Sequence, residues 1–148
     1  GKMELNNWPL FHIFFSKGMN ISVDRASITG AKTAYDRAKD ELDKGHNIVI
    51  FPEGTIPPSA PKLKVFKNGA FKLAIEKNIP IVPVTFLNNF KRLQAGPVLR
   101  NMGSPGPSRV IIHPAIYPAD YKDKTVSDLR NDTFAVIEAP LIELYGSK

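Results

Sequence analysis

Two helical periods, each followed at once by a β-branched run, constrain this chain more than any other feature. Ala31, Ala34, Tyr35, Ala38 and Leu42 repeat at the spacing of one apolar helix face, so a helix is predicted over Ala31–Lys44. Ser27 or Thr29 can cap its start, and Gly45 ends it. The next run, Asn47-Ile-Val-Ile-Phe51, shows no polar alternation, the pattern of a strand buried on both faces of a parallel sheet. A second helix is predicted over Asn68–Lys77, with Phe71, Leu73, Ala74 and Ile75 as core candidates. It runs into a buried strand, Ile79–Phe86, whose Pro80 and Pro83 suit an edge or an irregular start. Ile21–Val23 and Arg109–His113 read as further strands. Asp128–Tyr145 reads as a terminal helix bent or broken at Pro140. Helix and strand alternate, so the expected class is α/β, a mostly parallel sheet flanked by helices.

The 148 residues fit a single domain over 1–148, and 43% apolar residues are enough for a core without metal or disulfide staples. With no Cys, a disulfide framework, a thiolate zinc site and a Cys nucleophile are excluded. No apolar run approaches the roughly 18 residues of a bilayer span. The net charge of +6 points to an anionic partner: nucleic acid, an anionic membrane surface or a phosphorylated substrate.

Ligands of open α/β sheets bind beyond the carboxyl ends of the strands. The long Pro52–Phe66 loop leaves from such an end and begins Pro52-Glu53-Gly54-Thr55. Gly54 permits close backbone approach, Thr55 offers a hydroxyl and Glu53 a carboxylate. The plainer alternative is an ordinary turn with a solvated Glu. Lys62, Lys64, Lys67, Lys72 and Lys77 follow, with only Glu76 opposing them. Lys67 stands at a predicted helix start, where a cation is unfavourable unless an anion binds beside it. The alternative is a solvated lysine face. Arg25, after Val23-Asp24, suits bidentate phosphate recognition or a surface salt bridge with Asp24. The apolar Trp8–Phe15 stretch is either a buried helix or an acyl-chain or membrane-interface segment. His12, His46 and His113 form no pair at metal-ligand spacing, so no metal site is expected.

Four blocks in order resemble the glycerolipid acyltransferases: Ile21-Ser-Val-Asp-Arg25, Phe51-Pro-Glu-Gly-Thr55, Phe66-Lys-Asn-Gly-Ala-Phe71 and Ile79-Pro-Ile-Val-Pro-Val-Thr85. Lys2-Met-Glu-Leu5 and Trp8-Pro-Leu10 also fit, so the resemblance spans nearly the whole chain. The branch it is most similar to acts on 1-acyl-sn-glycerol-3-phosphate. The resemblance implies a partial glycerol-3-phosphate acyltransferase-like domain at the cytoplasmic face of a membrane. It implies fatty acyl transfer from acyl-CoA or acyl carrier protein to the free hydroxyl of lysophosphatidate, giving phosphatidic acid. No cofactor is implied beyond the acyl donor as co-substrate. Arg25 then matches the residue holding the acceptor phosphate, and Glu53, Gly54 and Thr55 the acceptor-binding block. Pro80, Ile81, Val82 and Pro83 match the block that shapes the acyl-donor side. Ile56 stands where the family often has Arg, so Lys62, Lys64 or Lys67 is expected to supply that charge.

The family's catalytic element is a His-x-x-x-x-Asp block, with His as general base and Asp orienting it. Five residues after His12, His46 and His113 stand Lys17, Phe51 and Pro118. No residue of this chain is therefore assigned as catalytic. The dyad is expected upstream of Gly1, the chain is read as truncated, and the isolated chain is expected to be inactive. Ile56 leaves open an acceptor such as another lysophospholipid, an ornithine lipid or glycerol-3-phosphate. A non-catalytic lipid- or anion-binding module is the rival from another class. The lysine cluster lacks interleaved aromatics and a recognition motif, so no nucleic-acid partner is expected.

Overall fold

The computed structural model describes residues 21, 28–55, 59–92 and 104–146. The chain divides into two compact units, Gly1–Val49 and Ile50–Lys148. The expected strand Ile21–Val23, Arg25 and the Trp8–Phe15 stretch fall outside the described residues, apart from Ile21, which is in no strand.

The first unit contributes helix α1, Ile28–Asp43. It begins three residues before the expected start. Thr29 lies inside it and does not cap it; its carbonyl accepts from the Thr33 hydroxyl at 3.0 Å. Ala34 and Ala38 are buried as expected, whereas Ala31 is exposed. The end follows the sequence closely. Gly45 turns left-handed at φ 82°. The N–H groups of Gly45 and His46 return to Leu42 O and Glu41 O, the paired bonds of a Schellman motif.

The second unit holds helix α2 (Gly69–Lys77), strands β1 (Val84–Phe86) and β2 (Val110–Ile112), the short helix α3 (Pro118–Tyr121) and helix α4 (Val126–Tyr145). α2 ends by the same motif as α1, but Asn78 takes the left-handed position at φ 52°. Its N–H and that of Ile79 return to Ile75 O and Ala74 O. Asn is one of the few residues that adopts this conformation at low cost.

The strands depart from expectation. Among the described residues the sheet is two-stranded and antiparallel, pairing Val84 with Ile112, Thr85 with Ile111 and Phe86 with Val110. The chain leaves β1 into a 3₁₀ turn at Asn89–Lys91, and β2 then pairs with β1 in the antiparallel sense rather than the expected parallel one. Pro80 and Pro83 donate nothing to a ladder, so the expected Ile79–Phe86 strand becomes regular only at Val84. Before it, Ile81 and Ile116 form an isolated bridge. His113 N–H donates to Pro83 O, so Val82 opposes both Pro114 and Ala115, the arrangement of a bulge. Asn47–Phe51 forms no strand, and Val49, Ile50 and Phe51 are exposed. Phe51 instead stacks on Phe86, with centroids 6.2 Å apart. A β-branched run buries itself only where a second layer covers it, and none of the described residues does so here.

The core forms between α2, α3 and α4. Phe66, Phe71, Tyr121 and Leu129 are its buried centre, with Leu63, Ile81, Val126 and Phe134 packed around them. Phe66 meets the edge of Phe134 at 4.9 Å, a favourable ring geometry. The Tyr121 hydroxyl donates to Ile79 O at 2.7 Å and holds α3 against the end of α2. Burial raises the Tyr121 phenol above its ordinary range, and the bond to Ile79 partly offsets this. α4 starts two residues before the expected Asp128, because Thr125 and Asp128 cap each other. Asp128 N–H donates to the Thr125 hydroxyl, and Asp128 Oδ2 accepts from Thr125 N–H and Oγ1–H. The helix continues through Pro140 to Tyr145 and does not end there.

Candidate functional site

The Pro52–Phe66 loop is closed at its base by three contacts. Lys67 N–H donates to Pro52 O at 2.9 Å. Lys64 N–H donates to Glu53 Oε2 at 2.8 Å, joining positions 11 residues apart. The third contact is made by a missing side chain. Gly54 is left-handed at φ 70°, with its N–H on Phe51 O. A Cβ built on it would stand 3.0 Å from Lys67 Cε and 3.2 Å from Lys67 Nζ. Glycine is required here for the backbone angle, and its bare Cα lets the end of the Lys67 side chain lie close against the loop.

These contacts rest on the core. Phe66 is buried, so the backbone of Lys67 is anchored while its side chain is exposed. Asn68 ends the loop ahead of α2 but does not cap that helix with its side chain. Its Oδ1 accepts from Arg130 of α4 at 2.8 Å instead. Arg130 therefore joins the basic side of the loop base, from 62 residues away. The sequence contains no signal for that approach, because only the packing of α4 against α2 creates it.

The structure thus brings Glu53, Gly54 and Lys67 together. Glu53 is half-buried and Thr55 is exposed beside it. Ile56 and Arg25 lie outside the described residues. Among the lysines offered for the missing arginine charge, Lys62 lies in a turn, its N–H on Ser59 O. Lys64 contributes its backbone amide to Glu53. Lys67 alone lays its side chain across the motif. Among the described residues no carboxylate is within ion-pair range of Lys67.

The second long loop gives a useful contrast. Gly106 faces Arg92 as Gly54 faces Lys67, and a Cβ there would come within 2.5 Å of Arg92 Nη1. The Arg92 guanidinium, however, is engaged by Pro107 O, Pro105 O and Ser104 Oγ. It closes its own loop, helped by Asn88, which bonds Pro107 O and Arg109 N–H. The same geometry yields a structural cation in one loop and, among the described residues, a cation with no carboxylate beside it in the other.

Of the block expected on the acyl-donor side, Pro83 is buried, Ile81 half-buried, and Pro80 and Val82 exposed. Among the described residues no group of three or more His, Asp or Glu could hold a metal ion, and no helix is long and apolar enough to cross a membrane.

Comparison with known proteins places the chain in a family. The acyltransferase family model matches residues 1–87. A 1-acyl-sn-glycerol-3-phosphate acyltransferase of Helicobacter pylori is 33% identical over 98 residues, covering 66% of this chain and 41% of that protein. A Pseudomonas aeruginosa protein of the same name is 27% identical over 147 residues, 97% of this chain and 54% of its own length. The crystal structure of the 1-acyl-sn-glycerophosphate acyltransferase PlsC from Thermotoga maritima matches the fold with a TM-score of 0.76 at 24% identity. It covers 100% of this chain and 56% of that one. The chain therefore spans about half, or less, of the length of these relatives.

Proposed function

Because this chain belongs to the acyltransferase family, we propose that it binds the acceptor in fatty acyl transfer to 1-acyl-sn-glycerol-3-phosphate, with phosphatidic acid as the product. The observation that supports this reading best is the unneutralised Lys67 ammonium lying over Gly54 at the exit of the Phe51-Pro-Glu-Gly-Thr55 motif. A phosphate dianion is the ligand such a cation suits, and Lys binds phosphate as a point charge where Arg would form a fork. Lys67 then stands in for the charge that Ile56 lacks. Gly54 and Thr55 are proposed to bind the acceptor beside Lys67, Glu53 stands at the base of the same loop, and Arg25 is proposed as a phosphate-binding residue from the family resemblance.

In this reading the acceptor hydroxyl attacks the thioester carbonyl of acyl-CoA or acyl carrier protein. A general base takes the hydroxyl proton and the thiolate leaves. Binding the phosphate away from the reacting hydroxyl orients that hydroxyl, and orientation supplies a large part of such rate enhancements. None of the three histidines has Asp five residues on, so the 148 residues by themselves carry the acceptor side without the dyad. We place the work at the cytoplasmic surface of a membrane, with a lipid phosphate as the anionic partner and no nucleic acid. Val65, 74% exposed among Lys62, Lys64 and Lys67, gives that surface an apolar contact within a basic one.

Titration calorimetry with lysophosphatidate and with monoacylglycerol tests the reading. The phosphorylated lipid is expected to bind more tightly, and Lys67→Ala to abolish the difference. Equal binding of the two lipids would overturn the acceptor assignment. Acyl transfer by the purified chain without any added partner would overturn its proposed inactivity.

A further inference from the structure

We propose that Glu53 acts as a positioning residue: its carboxylate holds the loop closed on the Lys64 amide, and so keeps the Lys67 ammonium over Gly54, without touching the acceptor. The proposal rests on the acyltransferase reading only for the identity of that acceptor.

Three observations carry it. The Glu53 carboxylate is directed into its own loop, where Oε2 accepts the Lys64 N–H at 2.8 Å. Among the described residues no Lys, Arg or His side chain is within ion-pair range of it, so the backbone amide of Lys64 is the partner it has there. A carboxylate facing a phosphate would also repel it, since like charges at contact oppose binding. Beyond Lys64 the chain passes through buried Phe66 and reaches Lys67, whose amide returns to Pro52 O. The two hydrogen bonds flank the buried ring and align the Lys67 stem with the open face of Gly54.

The chemistry sets a sharp requirement. A backbone N–H needs an acceptor, and the amide oxygen of Gln provides one as a carboxylate does. The hydrogen-bonding oxygen is therefore essential at position 53 and the charge is dispensable. Losing a hydrogen bond of this kind is worth about tenfold in an equilibrium.

The test uses the 148-residue chain, with amide hydrogen exchange at Lys64 and Gly54 read beside lysophosphatidate affinity. Glu53→Ala is expected to speed exchange at Lys64 about tenfold and to weaken lysophosphatidate by a similar factor, leaving monoacylglycerol binding unchanged. Glu53→Gln is expected to rescue both. In the Glu53→Ala, Lys67→Ala double variant the affinity loss is expected not to exceed that of Lys67→Ala alone, because both changes remove one cation's contribution. Failure of Gln to rescue, or losses that add in the double variant, would show direct contact with the acceptor and overturn the proposal. Should the parent chain fail to bind lysophosphatidate, the acceptor reading falls. The Lys64 exchange rates of the Ala and Gln variants would still judge the clamp.

Discussion

The Thr85 hydroxyl lies 2.9 Å from His113 Nε2 and donates to Ile137 O at 2.9 Å, so one buried side chain joins β1, the residue after β2, and α4. A hydroxyl has a single hydrogen, and a carbonyl can only accept. Thr85 therefore gives its hydrogen to Ile137 O, and His113 must donate from Nε2. The link sits where α4 needs it. Pro140 has no N–H to give Val136 O, and Ile137 O is the adjoining carbonyl.

Thr85→Val keeps the shape and removes both hydrogen bonds. The change removes one of the bonds to Ile137 O and leaves the imidazole N–H without its partner in a part-buried site, and is expected to cost about 1–3 kcal/mol. Thr85→Ser restores the hydroxyl and is expected to cost less. Chemical denaturation midpoints of the two variants check the order.

Tyr121→Phe removes the donor to Ile79 O at the end of α2. A loss of about 1–2 kcal/mol is expected, with the fold retained, because the ring stays packed against the core. Thermal unfolding compares the two proteins. A stability equal to wild type would mean that the phenol contributes only its ring.

Gly54→Ala forces an alanine to φ 70°, a left-handed conformation costing about 1–2 kcal/mol, and sets its Cβ 3.0 Å from Lys67 Cε. The long lysine can swing away, so the expected stability loss stays near the backbone term. Lysophosphatidate binding is expected to fall as far as in Lys67→Ala. Calorimetry of both variants separates the two effects.

Leu129 is fully buried in the core of the second unit. Leu129→Ala leaves a cavity among Phe66, Phe71 and Tyr121, with an expected cost of about 2–5 kcal/mol, read from a denaturant titration.

Hydrogen bonds from the Thr125 hydroxyl and amide hold the Asp128 carboxyl below the ordinary aspartate range. Its folded value is thus lower than its unfolded one. The stabilisation is complete above the unfolded value and disappears as pH falls through the folded one. Acid titration is expected to loosen the first turn of α4 in wild type. In the Thr125→Ala protein, which keeps the amide bond and loses the hydroxyl one, this acid-dependent step should be smaller, as followed by amide exchange at the start of the helix.

The helices were legible in the sequence to within a few residues because their signals are local. Periodicity marked α1 and α2, and Gly45 marked a helix end. The early start of α4 came from Thr125, whose bonds with Asp128 span only three residues yet lie outside the apolar period. The strands were less legible. Asn47–Phe51 has the composition of a buried strand, but strands need hydrogen-bonding partners and covering layers that no short window contains. The Pro52–Phe66 loop was legible as the candidate site, with Lys62, Lys64 and Lys67 as its neighbouring cations. Which of the three lies against Gly54 was not, because that depends on Phe66 filling the core and aligning Lys67 with Gly54.

By itself, then, the amino-acid order determined the three long helices to within a few residues, the family resemblance and a short list of candidate residues for an anion. All of these depend on neighbours within a few positions, or on blocks recurring in a set order. Only the tertiary structure decided the antiparallel pairing of β1 with β2, the approach of Arg130 to Asn68, and the difference between Arg92, held by its loop's carbonyls, and Lys67, laid against Gly54. Those outcomes depend on groups far apart in the chain, whose meeting is set by burial of a shared core and by the need of each buried polar atom for a partner.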